Sequence, residues 1–158
     1  MVVEDMQTHK QIFLAGHTNA VTCFAIGNSG KYIASGQVTH MGFKADILVW
    51  DYENALAALG ASSGQPCPSA GGNPGIGNEV KPYARLALHK VKVQALAFSP
   101  SEKYLVSLGG EDDGSVVVWS LAKKDAICGS PAQIPSAGIT ECLAYANNDD
   151  RLFFTAGE

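Results

Sequence analysis

The chain has 158 residues, 46% of them hydrophobic, and its 11 Lys and Arg against 15 Asp and Glu give a net charge of −4. That length suits one domain, the hydrophobic content argues against disorder over most of it, and an acidic balance without a run of Lys or Arg leaves no electrostatic footprint for nucleic acid. No apolar run approaches the roughly 18 residues of a membrane span, and the acidic start Met1-Val2-Val3-Glu4-Asp5 does not suit a signal peptide, so the chain is expected to be soluble and cytoplasmic, with no membrane partner.

In chain order, Val2 to Met6 and Gln11 to Leu14 read as two short strands around the polar turn Gln7-Thr8-His9-Lys10. Three strands follow Gly16-His17, near Ala20 to Ile26, Tyr32 to Val38 and Asp46 to Trp50, with a long polar and aromatic connection from Thr39 to Ala45. After Trp50-Asp51 the composition changes. Gly60 to Gly77 is rich in Gly, Ser and Pro and free of charge. Such a segment cannot bury enough apolar surface to offset its ordering entropy, and it is expected to be a disordered, dispensable insertion. Its Gly72, Gly75 and Gly77 follow no strand, precede no helix and have no P-loop lysine, so they make no phosphate site.

Strand character resumes from Tyr83 to Leu88 and is clearest between His89 and Trp119. There Val93 to Phe98, Tyr104 to Leu108 and Ser115 to Trp119 are apolar and β-branched, separated by the turns Ser99-Pro100-Ser101-Glu102 and Gly109 to Gly114. Two tight connections make an antiparallel meander. Ala126 to Cys128 adds a short fourth strand, Gly129 to Gly138 is a linker, and Thr140 to Tyr145 with Leu152 to Thr155 begin another unit. No stretch shows a convincing helical period.

The units repeat. A shift of 72 lays His17 on His89, Val21 on Val93, Ser29 on Ser101, Lys31-Tyr32 on Lys103-Tyr104 and Ser35 on Ser107. Gly16-His17 opens one unit that Trp50-Asp51 closes, and Leu88-His89 opens a second that Trp119-Ser120 closes. These residues resemble the WD-repeat family, whose repeats of about 40 residues build four-stranded β-propeller blades. The resemblance implies an all-β propeller portion of about two complete blades with a half blade at each end. It divides the chain into outer strands of a preceding blade (1–14), a WD repeat carrying the insertion (15–88), a second repeat (89–128) and the start of a further one (129–158). It also implies a hydrogen-bonded tetrad within each blade. His89, Ser107, Asp113 and Trp119 match all four places; His17, Ser35 and Trp50 match three, with Lys44 at the acid's place and Asp46 two residues too late.

No chemistry of an enzyme is evident. Glu111, Asp112 and Asp113 crowd together where a calcium loop needs spaced oxygen ligands, and Asp113 is expected to serve the tetrad. His9 and His40 fall in turns, and no Ser sits in a nucleophile elbow. Cys23, Cys67, Cys128 and Cys142 form no C-x-x-C pair and are expected as reduced thiols, with Cys23 and Cys142 buried in strands. No metal or cofactor is expected.

Longer stretches are more specific. Tyr32-Ile33-Ala34-Ser35-Gly36-Gln37-Val38-Thr39 with Met41-Gly42-Phe43-Lys44-Ala45-Asp46-Ile47, Asp112 to Trp119, and Asp125-Ala126-Ile127-Cys128-Gly129-Ser130-Pro131 resemble the cilia- and flagella-associated WD-repeat family of the axoneme, over roughly residues 11 to 157. This implies a non-enzymatic structural or scaffold protein of the cytoskeleton, placed in the axoneme of a cilium or flagellum. Its implied partners are tubulin and other doublet-microtubule proteins, not nucleic acid. The alternatives are an echinoderm-microtubule-associated-protein-like binder and a generic WD-repeat adaptor in signalling or ubiquitin ligation. An acidic chain needs a local contact for an acidic microtubule surface, and Met41, Phe43 and Lys44 are the expected one. The twelve strands suffice for three blades where propellers use about four to eight, so missing blades in cis or self-association are expected to complete the ends.

Overall fold

Alternating β-branched and apolar residues, interrupted by Gly, Pro, Asn and Ser turns, give a molecule built almost wholly of antiparallel strands. The computed structural model describes residues 1–4, 6–7, 9, 11–61, 80–133 and 138–158. Its elements are β1 (Val2–Glu4), β2 (Gln11–Phe13), β3 (Val21–Ile26), β4 (Tyr32–Gln37), β5 (Lys44–Asp51), α1 (Tyr52–Ala61), β6 (Ala84–Lys90), β7 (Val93–Phe98), β8 (Tyr104–Gly109), β9 (Ser115–Ser120), β10 (Asp125–Pro131), β11 (Thr140–Tyr145) and β12 (Phe153–Gly157). They form a pair β1-β2, a sheet β3-β4-β5-β6, a sheet β7-β8-β9-β10 and a pair β11-β12.

The repeat seen in the sequence is a repeat of register. Val21 pairs with Gln37, and Val93 with Gly109, each followed by a bulge on the first strand of its sheet. The sheets stack face to face, with β3 against β7 and β7 against β11. Strand β4 is therefore buried on both faces. By the two-residue period of a strand, Ile33, Ser35 and Gln37 share one face, and Ala34 and Gly36 the other.

Each interface has an apolar filling. Ala34, Ile47, Val49 and Leu86 of the first full sheet pack on Val93, Phe98, Leu105, Val117 and Trp119 of the second. Ile12 and Leu14, on and just after β2, pack on Ile33, Leu48 and Trp50 from the other side, joined by Ala55 of α1 and by Val80. At about 1.5–3 kcal/mol for each fully buried large apolar side chain, this stacking is what holds sheets that share no backbone ladder. The approach is close: a Cβ on Gly36 would lie 2.6 Å from Val93 Cβ and 2.9 Å from Cys23 Sγ.

Several expectations need correction. The chain does contain a helix. Asp51, expected only as half of a Trp-Asp closing pair, accepts from the Glu53 amide through Oδ1 at 3.0 Å and starts α1. The Ala-rich run after it favours a helix by propensity without segregating its apolar residues to one face. That helix takes in residues 60 and 61, the first two of the expected insertion; residues 62–77 of that insertion lie outside the described residues. Strand β5 begins at Lys44, which pairs with Lys90, so the expected connection from Thr39 to Ala45 is shorter. Strand β6 runs through His89, and β10 runs from Asp125 to Pro131.

The thiols differ too. Cys142 is exposed, because its alternate strand face has no neighbouring sheet among the described residues, whereas Cys23 is half-buried and burial pushes its thiol pKa up. Cys128 is exposed, and Cys67 lies outside the described residues.

Candidate functional site

The sheets have two ends, and polar side chains tie neighbouring sheets together at both. At one end lie the Met41-Gly42 turn, the β6–β7 link and the 110–114 turn. His89, at the end of β6, reaches into the second sheet, where its Nδ1 lies 2.7 Å from Asp113 Oδ2 and its Nε2 2.6 Å from Ser107 Oγ. Trp119 Nε1 donates to Ser107 Oγ at 2.7 Å. With the carboxylate accepting from Nδ1–H, a chain of donors runs from indole to hydroxyl to imidazole to carboxylate, each bond polarising the next. His89 and Ser107 are fully buried. The tetrad expected within one blade therefore spans two sheets, because β6 extends to Lys90 and carries the histidine.

Asp113 is held from three directions. Its Oδ1 accepts from the Lys90 amide at 3.2 Å, and its Oδ2 accepts from Ser115 Oγ as well as from His89. Burial pushes the carboxyl up, but the hydrogen bonds from His89, Ser115 and Lys90 outweigh it and hold the Asp113 pKa below its usual value. The seat exists because residue 109 is glycine. A Cβ there would fall on Asp113 Oδ2 and come within 2.8 Å of Asp113 Cβ.

The first sheet solves the same problem differently. His17 Nε2 lies 2.6 Å from Ser35 Oγ, matching His89 and Ser107, but His17 Nδ1 meets Gln37 Oε1 at 2.8 Å. Gln37 stands where the 72-residue shift puts Gly109, opposite Val21 as Gly109 is opposite Val93. A side chain grows from the strand into the space that Asp113 fills from the turn, and a neutral amide replaces a carboxylate. Gln37 Nε2 in turn donates to Thr18 Oγ1 at 3.3 Å. Burial lowers the His17 pKa, with the Gln37 bond opposing it. Neither Lys44 nor Asp46 enters this network; Asp46 lies 3.7 Å from Arg85.

Trp50 also departs from expectation. It is completely buried, packs edge-on to His17 with ring centroids 5.7 Å apart, and its Nε1 has no acceptor among the described residues. Trp50 thus joins this network by packing and not by the hydrogen bond that Trp119 makes.

At the opposite end a second device repeats. Glu102, in the 99–103 turn, accepts from the Ser29 amide at 2.5 Å and from Ser29 Oγ at 2.8 Å in the sheet before it. Asp150 does the same for Ser101, taking the amide at 2.9 Å and the hydroxyl. Glu102 adopts a left-handed φ of 57° where the equivalent residue of the first sheet is Gly30 at 75°. The cost of that conformation, of order 1 kcal/mol, places its carboxylate across the interface. These clasps had no signal in a single repeat, since both partners of each bond lie in different units.

The expected partner-contact residues are presented to solvent. Met41 and Phe43 are 81% and 67% exposed, and Lys44 is exposed beside them. Their turn is anchored from below: Thr39 N–H donates to Val91 O at 2.6 Å and Val91 N–H to Phe43 O at 3.4 Å. Val91 sits at φ 59°, an uncommon conformation for a β-branched residue, in the short link between the two full sheets. Among the described residues no group of three or more His, Cys, Asp or Glu is placed to hold a metal ion. None of their helices is long and apolar enough to cross a membrane.

A family model described as "WD domain, G-beta repeat" matches residues 8–51 and 80–120, more than half of the chain. The chain belongs to the WD-repeat family. Its two four-stranded sheets are propeller blades, and the fold is all-β as expected. In shape this WD-repeat chain is similar to the Cps50 (Swd1) beta-propeller domain of Myceliophteria thermophila, with a TM-score of 0.60 at 16% identity, over 89% of this chain and 32% of that one. In sequence it is similar to human Cilia- and flagella-associated protein 52, with 49% identity over 99% of this chain and 21% of the relative. The protein of that name from Chlamydomonas reinhardtii is 42% identical over 93% of this chain and 19% of its own length. Centriole proteome protein 16 of the same alga is 30% identical over 98% of this chain and 8% of its own. The chain spans about a fifth of the length of the cilia- and flagella-associated relatives it matches.

Proposed function

We propose that this WD-repeat chain acts by binding rather than by catalysis, as part of a structural protein of the ciliary or flagellar axoneme. Its blades hold tubulin and other doublet-microtubule proteins, and the Met41 to Lys44 turn is one of the contacts. The observation that carries this reading is the 49% identity to human Cilia- and flagella-associated protein 52 across 99% of the chain. Two features of the turn support it. Met41 and Phe43 offer apolar surface that no element among the described residues covers, and Lys44 adds a cation to a chain of net charge −4. An attraction to acidic protein surfaces must come from such local groups, because the overall charge opposes it.

The test is incorporation. A tagged copy expressed in ciliated cells should remain with axonemes through detergent extraction and be released only by strong salt. The triple substitution Met41→Ala, Phe43→Ala, Lys44→Ala should lower the retained fraction severalfold without changing the thermal melt. A wild-type chain that washes out with the detergent-soluble fraction would refute the axonemal reading, whereas full retention of the triple variant would refute only the turn.

A further inference from the structure

The first and last sheets of the stack expose complementary halves of one interface. Between the two full blades β3 meets β7, and large side chains pack there on small ones. Leu96 and Phe98 of β7, each 7% exposed, share a cluster with Cys23 and Ala25 of β3 and Ala34 of β4. Strand β11 repeats β7 at a shift of 47 and takes the next place in the stack, against β7. Leu143 and Tyr145 stand there at the places of Leu96 and Phe98, and both are half-buried.

The same places are open on the outer sheets. Phe24 and Ile26, which the 72-residue shift lays on Leu96 and Phe98, are 64% and 58% exposed, since no described strand packs on that side of β3. On β11, Cys142 and Ala144 hold the places of Cys23 and Ala25 and are exposed. Phe154 of β12, 63% exposed, lies opposite Ala144 as Ala34 lies opposite Ala25. That place already takes Val106 in the second blade.

The strand edges match as well. Leu14, just after β2, packs on the first blade, and His17 after it meets Ser35 as His89, on β6, meets Ser107. The pair β1-β2 thus holds the outer place of a blade. The pair β11-β12 has the bulged register of an inner pair, with Thr140 opposite Gly157 and Cys142 opposite Ala156, as Val21 is opposite Gln37 and Cys23 opposite Gly36. Among the described residues β1 and β12 each pair with one strand only, and a free edge of N–H and C=O groups is a template for another strand.

We propose that two copies of this chain close into one six-bladed ring. The pair β11-β12 of each copy sits over Phe24 and Ile26 of the other, and its β12 pairs antiparallel with that copy's β1. An occupant of this place must bring a free strand edge toward β1 and small side chains toward Phe24 and Ile26, and β11-β12 brings both. Two copies give two such junctions, so a head-to-tail contact closes on itself, and six blades lie within the roughly four to eight of propellers. Charge contributes little. Strand β3 has no charged side chain, and Glu141, the acid of β11, stands at the place of Thr22. The clasp between Glu102 and Ser29 is not repeated at the junction, because Gly30 stands where Glu102 does. Association therefore rests on apolar burial and on the β12–β1 ladder. It does not rest on the axonemal reading, which retention with axonemes tests separately.

The test is size exclusion with light scattering on the full chain, which should give twice the mass of one chain and fall toward that mass on dilution. Phe24→Glu and Ala144→Arg, at exposed positions on the two outer sheets, should each raise the concentration of half-dissociation at least tenfold and leave the far-ultraviolet circular dichroism unchanged. An equimolar mixture of the two variants should recover the dimer, since one junction then joins opposite charges and the other carries neither substitution. A wild-type chain that is monomeric at every concentration would overturn the proposal. So would a mass above the dimer, a dimer insensitive to both substitutions, or a mixture that stays monomeric.

Discussion

In the first full blade His17 is held by Gln37 and Ser35, and Trp50 lies against the ring with its N–H unused by the described residues. In the second, His89 is held by Asp113 and Ser107, and Trp119 donates to that serine. The first two strands of the blades share one register, whereas the hairpin after them is longer in the first, with Ile33 opposite Trp50 where Leu105 is opposite Trp119, so the difference lies in the side chains and in that turn. Gln37 and Gly109 are equivalent positions, and each determines what can reach the histidine: the glutamine supplies its own oxygen, and the glycine leaves room for a carboxylate from the next turn. The requirement the fold imposes is an acceptor at histidine Nδ1. It does not impose the residue that carries it.

The comparison can be tested by several substitutions. The largest effects should come from Trp50→Ala and Trp119→Ala, each costing about 3–5 kcal/mol as a large truncation in a blade interface, measured by urea unfolding. Two such losses of similar size are expected even though only one indole is hydrogen-bonded. The blades should separate when the N–H alone is removed: Trp119→Phe should cost about 1 kcal/mol more than Trp50→Phe, the usual net worth of a hydrogen bond.

Next, Asp113→Ala should cost about 1.5–3 kcal/mol, because it strands the buried His89 Nδ1–H and removes a charged acceptor from Ser115 and Lys90. Gln37→Ala, which loses a neutral acceptor, should cost about 1 kcal/mol, and the exposed Asp112→Ala should stay within about 0.5 kcal/mol. Equal losses at Asp112 and Asp113 would contradict the assignment of the turn.

The smallest effect is in pH. His17 has a folded pKa below its ordinary 6.5, so its contribution is complete above that value and declines as pH falls below it, since the unfolded chain takes the proton first. Asp113 has a folded pKa below 3.8, so its contribution is complete above that value and is lost only in stronger acid. Between pH 7 and 5, therefore, the first network should weaken while the carboxylate of the second does not. Gln37→Glu, which gives His17 a carboxylate partner, should flatten that decline when unfolding is compared at pH 7 and 5.5.

Much of this could be read before any coordinates. A repeat of 72 residues with strands of period two gives the register of both blades, and the family's spacing names His89, Ser107, Asp113 and Trp119. What could not be read has identifiable causes. Gln37 was invisible as an acceptor because its counterpart is a glycine, a position with no side chain to compare. The family's pattern places an acid in the turn near Lys44, whereas the replacement, Gln37, stands on the strand. Glu102 and Asp150 each bond into a different unit, so no motif within one repeat contains both partners. Helix α1 has no signal in hydrophobic period because its alanines favour a helix without marking a face. Alternation showed that Cys142 lies in a strand but could not say which face has a sheet over it.

Gln37 and the Gly109–Asp113 pair are interchangeable answers to one requirement, an acceptor at histidine Nδ1. A double-mutant cycle in the second blade tests this interchangeability most directly. Gly109→Gln alone should be strongly destabilising, because its Cβ falls on the Asp113 side chain, and Asp113→Gly, which removes the carboxylate and also the Cβ 2.8 Å from that position, should alone cost its acceptor. Combined, the new glutamine has both the space and the unpaired histidine to bond. Urea unfolding of the four proteins should give a double variant more stable than the sum of the single losses by about 1 kcal/mol or more, the range seen for groups in direct contact. Losses that simply add, or a double variant worse than their sum, would contradict the claim.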